Sequence, residues 1–276
     1  MNRLPIGKRA QIIRCLVEGN SIRSTVRITG ASKNTITKLL IEVGQACSKY
    51  QDETLRGLKC SRIQVDEIWS FCYAKQKNVP EQFKGQPGYG DVWTWTAICA
   101  DSKLVPSYLV GDRDAWAALR FIEDLQSRMA HRVQLTSDGH KSYLQAVENA
   151  FGSQIDYAML IKLYGQPHEE TREARYSPSE CTGTETKIIM GNPDPDHIST
   201  SYVERQNLTM RMGMRRFTRL TNAFSKKVEN LEHAVSLHFM YYNFSRIHRT
   251  LRVTPAMEAG VANHVWDIEE IVKLTD

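Results

Sequence analysis

Along the first fifty residues apolar side chains recur every three or four positions. From residue 62 they alternate with polar ones, so the period changes from that of a helix to that of a strand. Ile12, Ile13, Leu16 and Val17 predict a helix over 8–18, stopped by Gly19-Asn20. Ser21 is placed to cap a second helix over 22–28. Thr29-Gly30-Ala31 reads as a tight turn. Ser32 then caps a third helix over 33–43, which turns Ile36, Leu39, Leu40 and Val43 inward. Residues 45–55 continue the helical pattern, and Gly57 before Cys60-Ser61 marks a boundary.

Strand-like runs follow at 62–73, 92–100, 104–110, 132–137 and 156–163. Helices are predicted over 115–130, capped by Asp114, and over 141–151. Short connections between the first three runs suit an antiparallel meander, and helices between the later ones suit parallel crossovers. That order is the ribonuclease H-like plan, an α/β core on a mixed sheet. Residues 165–200 break the pattern with Pro167, Pro178, Gly183, Gly191, Pro193 and Pro195, and a connection of that length usually carries function. A helix over 225–247 is striped by Val228, Leu231, Val235, Phe239 and Tyr242. Thr254-Pro255 opens a short helix closed by Gly260, and a last helix spans 265–274. The expected layout is an all-α helix-turn-helix module at 1–50, a linker at 51–61, a core at 62–251 with 165–200 as an inserted loop, and a helical tail at 252–276.

Charge sharpens this division. Residues 1–50 hold nine Lys/Arg against Glu18 and Glu42, whereas the other 226 residues hold 27 against 29 acids. Basic charge gathered at one end suits a polyanion, because phosphate neutralisation supplies most non-specific DNA affinity. In a helix-turn-helix the exposed face of the 33–43 helix, with Lys33, Asn34, Thr35, Thr37 and Lys38, enters the major groove. No apolar run approaches ~18 residues, so no membrane span is expected. The first residues lack a secretory core, and the six dispersed cysteines form no Cys-x-x-Cys pair. A cytoplasmic, nucleoid-associated protein with reduced thiols is the expectation.

Three acids stand where metal-dependent nucleic-acid chemistry needs them. Asp66 follows Arg62-Ile63-Gln64-Val65, Asp138 follows Val133-Gln134-Leu135-Thr136-Ser137, and Glu204 lies in a helix-like run. Hard divalent cations prefer such oxygen ligands, and a metal pair can clamp both the attacking and the leaving oxygen of a phosphodiester. Glu67 competes with Asp66 for this role, but strand alternation sends the two to opposite faces, so only one is expected in the site. Asp138-Gly139 also reads as a turn, and Glu204 as helix-dipole chemistry.

Five blocks of sequence occur in order: Gln64-Val-Asp-Glu-Ile-Trp69, Thr136-Ser-Asp-Gly-His140, Ser201-Tyr-Val-Glu-Arg-Gln-Asn207, Met214-Arg-Arg-Phe-Thr-Arg-Leu-Thr-Asn222, and Tyr242-Asn-Phe244 with His248-Arg-Thr-Leu251 and Thr254-Pro-Ala256. In these the chain resembles bacterial insertion-sequence transposases of the DDE class, in the branch with an InsB-like catalytic domain, over most of residues 20–265. The resemblance implies a ribonuclease H-like core and two Mg2+ or Mn2+ ions held by Asp66, Asp138 and Glu204. It also implies cleavage at element ends and transfer of the 3′-hydroxyl into target DNA. Some members carry a cysteine zinc motif before the helix-turn-helix, which this chain lacks.

Residues 205–227 hold Arg205, Arg211, Arg215, Arg216, Arg219, Lys226 and Lys227 and no acid. If one helix continues from Glu204, Arg211 and Arg215 return to within ~20° of its direction and face the same phosphates. Arg216 joins them as a DNA-binding candidate, and His140 is a candidate accessory group. The partners expected are DNA, as element ends and target, and a second copy of the chain in synapsis. The alternative is a non-catalytic helix-turn-helix DNA-binding protein derived from a transposase. A nuclease or junction resolvase on the same fold would share the metals but has no need of the basic N-terminal module.

Overall fold

The strand β1 (Arg62–Cys72) carries apolar residues toward both faces, and Ile63, Val65, Ile68, Phe71 and Cys72 are all buried. A strand covered on both sides belongs at the middle of a sheet. The computed structural model, which describes residues 3–165, 181–218 and 221–276, places it there. β2 (Gly90–Cys99) pairs antiparallel with β1, and β3 (Tyr108–Gly111) antiparallel with β2. On the other side β4 (Val133–Ser137) and β5 (Ile155–Tyr164) run parallel to β1, and β6 (Cys181–Met190) returns antiparallel to β5. The order β3-β2-β1-β4-β5-β6 is that of a mixed sheet consistent with the expected ribonuclease H-like core.

Two strands differ from expectation. β3 begins at Tyr108 rather than at 104, because the buried Asn243 carboxamide binds Val105 on both sides: Val105 N donates to Oδ1 at 3.0 Å and Nδ2 donates to Val105 O at 2.9 Å. With both backbone groups satisfied there, Val105 has none left for a ladder. β6 lies inside the expected inserted loop and had no apolar alternation to reveal it. Thr182, Glu185 and Lys187 are exposed, and only the threonine at every second position (182, 184, 186) was a strand signal. The rest of that loop at 166–180, like Arg219, lies outside the described residues.

α1 (Ile6–Val17) starts ahead of the expected residue 8, behind Pro5 and without a side-chain cap, whereas α2 (Ile22–Thr29) and α3 (Lys33–Thr54) start where their caps predict. Ser21 Oγ accepts from Ser24 N and Ser32 Oγ from Thr35 N, both at 3.1 Å. Gly30 turns the chain between α2 and α3 at φ 70°. α3 is one helix of 22 residues, so it runs through the expected boundary at 50. Its second half lies against α7 (Val228–Met240), with Ser236 Oγ donating to Gly44 O at 2.8 Å and Gln51 Nε2 donating to Ser236 O at 3.2 Å. Leu55 and Leu58 are buried, and Leu58 N donates to Arg128 O at 2.8 Å, so the 51–61 stretch is packed rather than loose.

α4 (Ala115–Arg128), capped by Asp114, and α5 (Ser142–Phe151) cover one face of the sheet, and α6 (Ser201–Gly213) packs on β1 and β2. α7 stops at Met240, short of the predicted 247, and gives way to a π turn over Tyr241–Ser245 that carries Asn243. Thr254 caps the short α8 (Pro255–Glu258). α9 (Ile268–Lys273) opens on a capping box between Asp267 and Glu270 and packs on α1, where Arg9 pairs with Asp276 at 2.9 Å. All six cysteines are free thiols. Among the described residues no helix is long and apolar enough to cross a membrane.

A side chain at Gly44 would collide with α7, since a Cβ there would sit 2.5 Å from His233 Cβ. Gly44→Ala is therefore expected to cost about 1–3 kcal/mol in denaturant unfolding of the whole chain, as overpacking does. An unchanged midpoint would mean that the N-terminal helices are not integral to the core.

Candidate functional site

The site is built where β4 ends against the middle of β1. β4 ends at Ser137, which pairs with Val65, so Asp66 and Asp138 both lie just past the last rung of this parallel pair. Asp66 Oδ1 accepts from Glu67 N at 2.8 Å, and Asp138 Oδ1 accepts from His140 N at 2.9 Å, a local turn that aims the carboxylate. Asp66, Glu67 and Asp138 each place a carboxylate oxygen within 4.8 Å of the others.

Glu67 is a correction to the alternation argument. It does point to the opposite face, among α4 and α5, yet its oxygens reach round the short end of β4 to the other acids. There it is buried and bound twice: Arg113 pairs with Oε1 at 2.5 Å, and the buried Tyr143 hydroxyl donates to Oε2 at 3.1 Å. Its charge is thus answered by protein. That of Asp66 is not.

Glu204 approaches from the other face on α6. Its Oε2 pairs with Lys162 of β5 at 2.5 Å and its Oε1 accepts from Thr200 Oγ1 at 2.6 Å. Two residues missed in the sequence fix this helix to the strand. Gln64 Oε1 accepts from the backbone N–H of Tyr202 (2.8 Å) and of Val203 (3.2 Å), capping α6 from β1 with the side chain two positions before Asp66. One turn beyond Glu204, Asn207 Nδ2 donates to Asp66 Oδ2 at 2.8 Å. Gln64 and Asn207 both stood in the quoted blocks, and their spacing of two along a strand and three along a helix was the available signal. Lys162 had no such signal.

Burial, reinforced by Glu67 and Asp138 and more weakly by Glu204, pushes the Asp66 carboxyl up to about 7. Uncompensated negative charge among oxygen ligands fits a divalent cation, which would restore the ionised form.

The other candidate residues divide. Arg211 lies on α6 two turns after Glu204 and shares its face, as expected. Arg215 does not: Met214 leaves the helix with φ −130°, ψ 106°, and Arg215 enters a separate 3-10 turn, Arg215–Phe217. Arg216 is drawn inward, hydrogen-bonded to Ser225 Oγ, and burial pulls its pKa below the usual arginine value. Arg215 and Arg216 instead line a groove of about 1510 Å³ with Lys33, Asn34, Thr37 and Lys38 of α3. Thr35 is half-buried and bonds Ser32 within the cap. The His140 ring packs edge-on to Trp95 and Tyr143, with Nδ1 buried and lacking a hydrogen-bond partner.

No protein-family model matches the chain, and no curated protein matches it. Among solved structures it is similar to the piggyBac transposase synaptic complex with hairpin DNA, at 9% identity and a TM-score of 0.42, over 98% of this chain and 69% of that one. It is also similar to the Mos1 strand transfer complex, at 11% identity and a TM-score of 0.25, over 87% of this chain and 76% of that one. The Mos1 paired-end complex with the left transposon end aligns over 57% of this chain and 60% of that one, at 10% identity and a TM-score of 0.23.

A proton on Asp66 competes with a cation for the same oxygens. With its pKa near 7, Mg2+ or Mn2+ affinity is expected to rise roughly tenfold from pH 6 to pH 8. Calorimetric titration at the two pH values measures this. Asp66→Asn should flatten the dependence, and a wild-type affinity that ignores pH would separate Asp66 from the cation.

Proposed function

We propose that the chain is a DDE-type DNA transposase, in which Asp66, Asp138 and Glu204 hold two Mg2+ or Mn2+ ions. The observation that carries the reading is the cluster of Asp66, Glu67 and Asp138 carboxylates within 4.8 Å of one another, with Asp66 short of compensating charge and Glu204 near enough to add weakly to its load. A regulator that only binds DNA gains nothing from placing Asp66 where burial and neighbouring acids oppose its ionised form.

Bound there, divalent ions would polarise the phosphodiester and activate the attacking oxygen. The chain's own groups supply the rest. Asp66 and Asp138 present oxygens on a rigid strand pair, and Gln64 and Asn207 hold α6 so that Glu204 completes the set from the opposite side. Lys162 neutralises Glu204 until a cation competes for it. Arg113 and Tyr143 hold the Glu67 carboxylate in place beside Asp66. Arg211, on the Glu204 face, is placed to meet a DNA phosphate, and His140 stands beside Asp138 as an accessory group. Lys33, Asn34, Thr37 and Lys38 on α3 engage duplex DNA at element ends, with Thr35 shaping the helix start. Bringing two ends together calls for at least two copies of the chain.

Incubating the protein with Mg2+ and labelled terminal-repeat DNA should yield a nick at the element end. Asp66→Asn, Asp138→Asn and Glu204→Gln are each expected to lower nicking by at least about a thousandfold while DNA binding persists. A variant that nicks at the wild-type rate would remove its residue from the site. Wild-type binding without nicking under either metal would favour the non-catalytic reading. Lys33→Ala should weaken binding and reduce the salt dependence by about one phosphate contact.

A further inference from the structure

A continuous chain of aromatic rings and cations connects the carboxylates to the α3 groove. Arg113, paired with Glu67, lies 4.7 Å over the Trp93 ring. Trp93 pairs across the sheet with Trp69, and Trp69 lies 5.7 Å from Phe71. Lys75 sits over both of these rings, at 5.7 and 5.9 Å. Phe71 packs at 4.8 Å on Phe224, and Lys226 covers Phe224 at 4.1 Å and Tyr73 at 5.8 Å. Phe224 and Lys226 also line the groove that holds Lys33 and Asn34.

This arrangement is unusual for a surface whose only task is to be solvated. Trp69, Trp93, Tyr73 and Phe224 stay half-exposed, and a cation lies over each of these rings. Rings that each carry a cation offer a π-face to a base and a positive charge to the phosphate beside it. Duplex DNA hides its base faces, so only unpaired nucleotides can use both. From Glu67 to Tyr73 the strand spans about 20 Å, room for a few nucleotides leading to the acids.

We propose that the half-exposed rings of Trp93, Trp69 and Phe224, backed by the buried Phe71, bind a short unpaired stretch of DNA strand and guide it from the α3 groove to the carboxylates. The inference rests on the reading of the chain as a DNA strand-transfer enzyme. It adds that the strand reaches the acids with its bases out of the helix.

Fluorescence anisotropy with labelled oligo-dT, and separately with a blunt duplex, tests the track without requiring cleavage. Trp69→Leu should weaken oligo-dT binding roughly tenfold or more, the effect of one lost stacking ring, and leave duplex binding unchanged. Trp69→Phe should restore most of it. The surface variants Lys75→Gln and Lys226→Gln should reduce single-strand affinity and its salt dependence with an unchanged melting temperature. Wild-type protein that binds duplex but not oligo-dT overturns the track and leaves the enzyme reading standing. So does an equal loss of both ligands in every variant. Binding of neither ligand by the wild-type protein removes the DNA reading itself.

Discussion

Negative charge gathered at the end of a parallel strand pair is the constraint to which the surrounding structure answers. A buried carboxylate without a partner costs several kcal/mol or takes up a proton, and three acids within 4.8 Å multiply the cost. The protein answers at two of its acidic positions, giving Arg113 and Tyr143 to Glu67 and Lys162 to Glu204. At Asp66 it supplies the Glu67 N–H and the Asn207 amide, both neutral donors. Hydrogen bonds orient that carboxylate without neutralising it, which leaves a cation as its natural complement.

The same constraint explains why α6 is fastened so directly to β1. An acid delivered from a helix is useful only if the helix cannot drift, and the first backbone N–H groups of α6 are open for capping. Gln64 takes two of them from the strand, so the residue that secures the helix and Asp66 are neighbours on one face of β1. Asn207 closes the loop from the helix side. Together these bonds set the separation of Asp66 and Glu204 by the spacing of a strand and a helical turn rather than by a flexible connection.

Much of the fold was legible because it rests on local chemistry. β1 and β4 form where their apolar runs place them, Ser21, Ser32, Asp114 and Thr254 cap where expected, and Asp138 follows the end of β4, whereas Asp66 lies inside β1, which runs on to Cys72. What was not legible depends on partners distant in sequence. β6 is polar over residues 182–187 and is held by its pairing with β5. Asn243 diverts Val105 from the sheet across 138 residues. Alternation assigned Glu67 to the wrong side of the choice because it describes faces, whereas at the end of a short neighbouring strand the two faces meet. Arg215 departs from the Glu204 face because the helix ends after Gly213, a poor helix former that stood in the sequence.

Asp66, Asp138 and Glu204 are proposed to form a divalent-cation site. Anomalous diffraction from crystals grown with Mn2+ addresses it most directly. A manganese peak in contact with the Asp66 and Asp138 carboxylates, with Glu204 turned from Lys162 toward the metal, is the result expected of such a site. Manganese bound only elsewhere on the surface, with the Lys162–Glu204 pair intact and Asp66 in its present hydrogen bonds, would contradict it.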